Sequence, residues 1–271
     1  MYGADMDASH RNRRKHRRTI KRNKSRNQRK MNLIIIAAAI VVMAVMALVA
    51  RDFYFFITGN DVTEETPYPV KGVDVSSYQL EIDWQGLEEE GYSFAFIKAT
   101  EGSSLVDERF EYNWEEASST GMKIGAYHFL SYDTSGRSQA ENYIETVDKK
   151  WGMLPPVVDV EFYGDYTEVH PGKKKLRRIL DTVLQELEAH YGMRPIIYTN
   201  TYIYEEYISG RYDDYDIWIS AHDIPESLND GREWTFCQYT FYGKSENVAG
   251  GEKYVDLNVF NGSSWEFRKY D

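Results

Sequence analysis

Between residues 70 and 271, short apolar runs alternate with stretches of helical character. That alternation limits the fold more than any other feature of the chain. Runs with strand character are Val70–Val75, Ser93–Lys98, Lys123–Leu130, Pro156–Glu161, Pro195–Thr199, Asp216–Ser220, Trp234–Tyr239 and Tyr254–Phe260. Helical patterns fall at Asp83–Glu90, Asp107–Ser119, Ser138–Lys150, Lys173–Tyr191 and Thr201–Ile208, with Gly91, Gly121 and Gly192 as stop signals. Apolar strands separated by helices are the mark of a parallel sheet covered by helices, the α/β class. Eight strand candidates in about 200 residues suit a closed barrel, and a domain of that size buries one large core. Five strand–helix units come first, and three strands with little helix between them follow, so the barrel is irregular. The competing arrangement is a doubly wound open sheet. That fold expects a G-x-G-x-x-G loop after the first strand, and none is present.

In a parallel barrel, reactive groups gather at the C-terminal ends of the strands. Asp74 lies at the end of the first run, Glu101 just after the second, Tyr127 in the third, Asp159 and Glu161 at the end of the fourth, and Asp256 in the last. Asp159 and Glu161 are two residues apart, so a strand directs both to one face. Two carboxyl groups in one partly desolvated site cannot both ionise freely, and at least one pKa rises. A protonated acid beside an ionised one suits glycosidic bond cleavage. A D-x-E pair also occurs at ordinary solvated strand ends, so the pair alone does not decide the matter. No G-x-S-x-G, H-E-x-x-H or P-loop pattern occurs. Binding of a divalent metal by Asp74, Asp159, Glu161 and Asp256 ranks below acid–base work, and no metal or cofactor is expected. A single cysteine, Cys237, rules out an intrachain disulfide.

The net charge of −11 conceals a division of the chain. Residues 1–32 carry 12 Lys/Arg and 2 Asp/Glu, leaving 20 and 41 for the remainder, or +10 against −21. Leu33 to Ala50 then run without a charge, long enough as a helix to span roughly 27 Å, near the thickness of a bilayer core. The positive-inside rule places 1–32 in the cytoplasm as a basic tail, 33–57 as a single transmembrane segment, 58–69 as a linker and 70–271 outside the cell. The basic block before an apolar run reads as a topology signal rather than a nucleic-acid arm. A cleaved secretory leader is the competing reading, since Val45-Met46-Ala47 offers small residues for cleavage, but leaders usually have only about 7–15 apolar residues.

The domain resembles the glycoside hydrolase family 25 muramidases, the Chalaropsis-type lysozymes. The resemblance rests on Lys71-Gly72-Val73-Asp74-Val75-Ser76-Ser77-Tyr78-Gln79 with Ile82-Asp83-Trp84, Phe96 to Gly102, and Asp107, Phe110, Asn113 and Trp114. It continues through Gly125 to Phe129, Pro155 to Glu161, Gln238-Tyr239 and Val255 to Asn258, in order across about 70–262. It implies a TIM-like barrel of five β/α units plus three strands, and hydrolysis of the β-1,4 bond between N-acetylmuramic acid and N-acetylglucosamine in peptidoglycan glycan strands. It also implies that Glu161 is the proton donor, that Asp159 stabilises the substrate's N-acetyl group or the cationic transition state, and that Asp74 and Asp256 tune the pair. Tyr127, Tyr198, Trp218, Gln238 and Glu101 are expected to touch sugar. One departure is that Phe236-Cys237 precede Gln238 where the family usually has a tryptophan, so a stacking platform is expected to be lost or moved. A catalytically silent wall-binding module on the same fold, or a hexosaminidase acting on chitin-like glycans, are the other readings. A monomer is expected.

Overall fold

The computed structural model describes residues 66–248 and 254–270. The basic tail, the proposed transmembrane segment and most of the linker lie outside them. No helix among the described residues is long and apolar enough to cross a membrane.

The elements run β1 (Lys71–Val75), α1 (Trp84–Glu89), β2 (Phe94–Glu101), β3 (Leu105–Val106), α2 (Phe110–Ser118), β4 (Lys123–Phe129), α3 (Gly136–Thr146), β5 (Val157–Val160) and α4 (Lys173–Tyr191). They continue with β6 (Ile196–Asn200), a short helical segment that becomes a π turn over 201–208, β7 (Ile217–Ser220), β8 (Phe236–Gly243), β9 (Val255–Phe260) and α5 (Ser264–Lys269). The strands pair in the order β1-β9-β8-β7-β6-β5-β4-β2-β3, and β1 also pairs with β2. That last pairing closes an eight-strand barrel, with β3 outside it as a short hairpin on β2. All pairs from β1–β2 round to β7–β8 are parallel, while β9 is antiparallel to both neighbours.

Reversal of β9 explains why β8 and β9 are joined without a helix, since an antiparallel neighbour can be reached by a direct turn; β7 and β8 are parallel, and residues 221–235 cross between them without a helix. The reversal also places the start of β9, not its end, beside the C-terminal ends of the other strands. Asp256 therefore faces Asp74 across the β1–β9 ladder.

Strand alternation builds the interior in layers. Phe94, Phe96, Val157, Ile196, Trp218, Phe236 and Phe260 fill the lower barrel. Phe96 stacks on Trp218 at 4.4 Å between ring centres, and Phe236 meets Phe94 and Phe96 edge-on, each at 5.1 Å. Rings this large fit because the strands on either side of β2 carry glycine beside them. A Cβ on Gly72 would come within 2.4 Å of the Phe94 ring, and one on Gly125 within 2.8 Å of Phe96. Helix α5 was not expected from the sequence. Its Phe267 packs on Phe94 and Phe260 at 5.5 and 5.1 Å and so closes the lower mouth. A capping box between Ser263 and Glu266 starts this helix and is legible as S-x-x-E in the sequence.

The remaining differences are at element ends. Helix α2 begins at Phe110 because the Asp107 carboxylate accepts from the backbone N–H groups of Arg109 and Ser77, which fixes a turn there. Helix α3 begins earlier than the expected Ser138, capped by Ser135, and stops at Thr146. Helix α4 has the expected bounds, ended by Gly192 in the left-handed conformation at φ 70°.

Candidate active site

The upper layer of the barrel is polar. Continuing the inward-facing positions upward gives Asp74 on β1, Lys98 on β2, Tyr127 and Phe129 on β4, Asp159 and then Glu161 on β5, Tyr198 on β6, Gln238 on β8, and Asn258 then Asp256 on the reversed β9. Nearly all of these line one cleft of about 250 Å3 at the C-terminal mouth; Asn258 lies just beneath it. Glu161 lies one residue beyond β5, which ends at Val160, yet keeps the same facing as Asp159.

Asp74 is the most elaborately held of the acids. Its Oδ2 accepts from Gln238 Nε2 at 2.8 Å and from Asn258 Nδ2 at 2.7 Å. Gln238 Nε2 also donates to Asp256 Oδ2 at 3.2 Å. The two amides can point their NH2 groups at the acids because their oxygens are already engaged. Tyr198 O–H donates to Gln238 Oε1 at 2.6 Å, and the Trp218 indole N–H donates to Asn258 Oδ1 at 2.8 Å. Burial raises the Asp74 carboxyl to about 6 even though the hydrogen bonds donated by Asn258 and Gln238, and its interaction with Asp256, pull the other way.

Asp159 is buried, and its Oδ1 has no hydrogen-bond partner among the described residues. Burial holds its carboxyl well above the usual carboxylate range. The Glu161 charge adds to that shift, and the Lys98 ammonium opposes it. Glu161 is also raised, by burial first and then by Asp74. The pair therefore keeps a proton at pH values where ordinary carboxyls have lost theirs.

A cluster of buried acids sharing a proton, with an orphaned acceptor inside it, is what the chain brings to comparison with known proteins. The family model for glycosyl hydrolases family 25 matches residues 73–248. The chain belongs to this family. A family 25 glycosyl hydrolase from Bacillus anthracis has the same fold with 48% identity and a TM-score of 0.71, covering 75% of this chain and 94% of that one. Lysozyme M1 of Streptomyces globisporus is 31% identical over 211 residues, 72% of this chain and 69% of that protein. An uncharacterised Escherichia coli K12 protein, YegX, is 36% identical over 208 residues, covering 75% and 74%.

Within this family 25 domain, three sequence expectations are sharpened or corrected. Trp218 lines the cleft as expected, but it is only 2% exposed, stacked on Phe96, with its N–H spent on Asn258, so its main contact is with the acid network. Glu101 is not among the residues lining the cleft. Its carboxylate accepts from Lys98 Nζ at 2.8 Å and steadies that lysine, which does line the cleft. The Phe236-Cys237 departure does not remove a stacking platform. Phe236 lies in the lower core, and Cys237 is buried with its thiol pushed up to about 12 by burial. Tyr127 lines the cleft as expected; Tyr198 and Gln238 also line it but are buried and bonded to each other.

The structure also adds residues. Tyr78 and Phe241 line the cleft and are 69% and 49% exposed, which makes them the open aromatic faces of the site. Tyr78 sits on a single 3-10 turn fixed by a capping box between Ser76 and Gln79. Phe241 reaches the cleft because register shifts on either side of Thr240 break the alternation of β8, which period-2 reading cannot anticipate. Lys98 could have been suspected from its inward spacing with Phe94 and Phe96. His128 takes no part in the cleft. Thr100 and Gln139 bond its two ring nitrogens, and burial lowers its pKa to about 4, so it stays neutral as a core residue.

Proposed function

We propose that the chain is a muramidase that hydrolyses the β-1,4 bond from N-acetylmuramic acid to N-acetylglucosamine in peptidoglycan, with Glu161 as proton donor and Asp159 as its partner. The observation that carries the assignment is the buried Asp159–Glu161 pair, one oxygen of which lacks a donor, at the mouth of a family 25 barrel. An N-acetyl N–H donating to the Asp159 carboxylate, which lines the cleft, favours its ionised form. The shared proton then belongs to Glu161, the less buried of the two. Glu161 delivers it to the leaving glycosidic oxygen as the C1–O bond breaks, and Asp159 carries negative charge beside the cationic centre. Water finally adds hydroxide to C1 and returns a proton to Glu161. Asp74 and Asp256, held by Gln238 and Asn258, keep the local potential negative and Glu161 protonated. Tyr78, Tyr127 and Phe241 supply sugar contacts.

The sequence of residues 1–57 supports a further reading, in which the basic tail is cytoplasmic and Leu33 to Ala50 form the core of a single membrane anchor that holds the enzyme at the outer surface.

Muropeptide analysis tests the chemistry. Wild type should release fragments with new N-acetylmuramic acid reducing ends. Glu161→Gln should lower kcat by at least about a thousandfold, general-acid loss compounded by loss of the carboxylate, while unfolding stays cooperative. Full activity of that variant would sink the assignment.

A further inference from the structure

The chain joins the barrel at the end opposite the cleft. Tyr68 packs on Trp234 just ahead of β8, and Val70 O accepts from Phe260 N at the lower end of β9. Only residues 51–65 separate the apolar run from the described domain. Fully extended, that length reaches about 50 Å. The chain therefore enters the domain at its lower face, and any membrane placement of that face rests on the anchor reading above.

That face carries an unusual surface for this domain. Outside residues 1–32 the chain has a net charge of −21, yet Lys123, Lys149, Lys150 and Arg268 line one cleft of about 730 Å3 there. Trp151 stands in the same cleft, fully exposed at 102%. Lys149 Nζ donates to the Tyr191 carbonyl at 2.5 Å, a contact that leaves its charge intact. Lys150 is paired with Glu115 at 2.8 Å. Arg268 has no ion-pair partner among the described residues. One turn earlier on α5, Trp265 is 58% exposed with Lys269 Nζ 3.4 Å from its ring centre. Acids also adjoin the cluster: Asp148 precedes Lys149, Glu88 lies against Gly121, and Glu188 pairs with Arg194. Exposed tryptophans beside lysines and arginines match a lipid headgroup layer, where the indole sits at the interface and the cations meet phosphate.

We propose that the lower face of the barrel, around Trp151, Lys149, Lys150 and Arg268, docks on the anionic phospholipid surface of the membrane, directing the catalytic cleft outward toward the wall. The full chain is reconstituted in vesicles containing brominated phosphatidylglycerol or brominated phosphatidylcholine, and tryptophan fluorescence is read. The other four tryptophans are buried, so quenching reports Trp151 and Trp265. Quenching should be several-fold stronger in the anionic vesicles, fall at high salt, and disappear both in Trp151→Phe/Trp265→Phe and in Lys150→Glu/Arg268→Glu. The latter variant should keep wild-type peptidoglycan turnover, which shows that it is folded. Equal quenching in the two lipids, or quenching unchanged by the charge reversal, overturns the proposal. Protection of Trp151 by soluble polyphosphate without quenching by phosphatidylglycerol overturns it in favour of a wall polyanion. Alkaline carbonate extraction tests the anchor separately. A chain that resists extraction but is not quenched keeps the anchor and loses the docking face. A chain that is extracted yet quenched in anionic vesicles does the reverse.

Discussion

Asp74 receives two amide donors on a single oxygen and remains raised to about 6, which makes it the residue whose charge is most informative. Its charge contributes to the raised pKa values of both Glu161 and Asp159. Removing it in Asp74→Asn should lower the Glu161 pKa, so the alkaline limb of the kcat–pH profile should move to lower pH. A shift to higher pH would contradict the electrostatic arrangement. The same group affects stability. Because its folded pKa is raised, the stability tied to its protonated form is fully present below about 4 and is lost as pH rises through about 6. Two pKa units correspond to roughly 3 kcal/mol. The unfolding free energy of Asp74→Asn relative to wild type should therefore improve by about that amount between pH 4 and pH 7, measured by urea titration at both values. Taking the difference between the two proteins cancels the opposite trend from exposed acids held below their usual range, such as Glu206 and Glu266.

At the scale of elements, β1 and β4 are thin on their inward faces so that β2 can be thick. Phe94 and Phe96 occupy the space that side chains at Gly72 and Gly125 would need. Gly72→Ala should destabilise the domain by about 1–3 kcal/mol through overpacking, read from the denaturation midpoint. It should also perturb the cleft, since Asp74 is two residues further along the same strand. An unchanged midpoint would mean that the Phe94 ring has another rotamer open to it. The D-x-E element shows how far strand patterning reaches. Its period places Asp159 and Glu161 on one face without any tertiary information, although Glu161 lies just outside the paired strand. Phe241 is the counterexample, because a bulge in β8 changes the facing of everything after it.

For the molecule as a whole, charge is unevenly distributed between the ends of the barrel and along the chain. The catalytic mouth gathers Asp74, Asp159, Glu161 and Asp256 in a domain already rich in acid. Peptidoglycan carrying anionic polymers is repelled by such a surface at low ionic strength. Raising salt from about 10 mM to about 150 mM, where the screening length falls from about 30 Å to 8 Å, should increase kcat/KM on intact walls while leaving it nearly unchanged on short neutral oligosaccharides. A decrease on walls would instead indicate electrostatic attraction between enzyme and substrate.

The alternation of apolar strands and helices, the inward spacing of Asp159 and Glu161, and the ordered motifs around them were enough to specify a barrel of this family and its acid pair. These are periodic and local properties, fixed by pleat geometry and by the 3.6-residue helix repeat, and a single chain displays them directly. Other features depend on contacts between distant segments. The reversal of β9 brings Asp256 opposite Asp74, and α5 seals the lower mouth. Trp218 and Tyr198 became the donors that orient Asn258 and Gln238 in the wall of the cleft, because burial and the positions of two amides left them that role. Lys98 gained its place beside Asp159 and its tie to Glu101 the same way. A sequence shows which side a residue faces; which partner it meets there is settled by strand order, register and the space that neighbouring side chains leave.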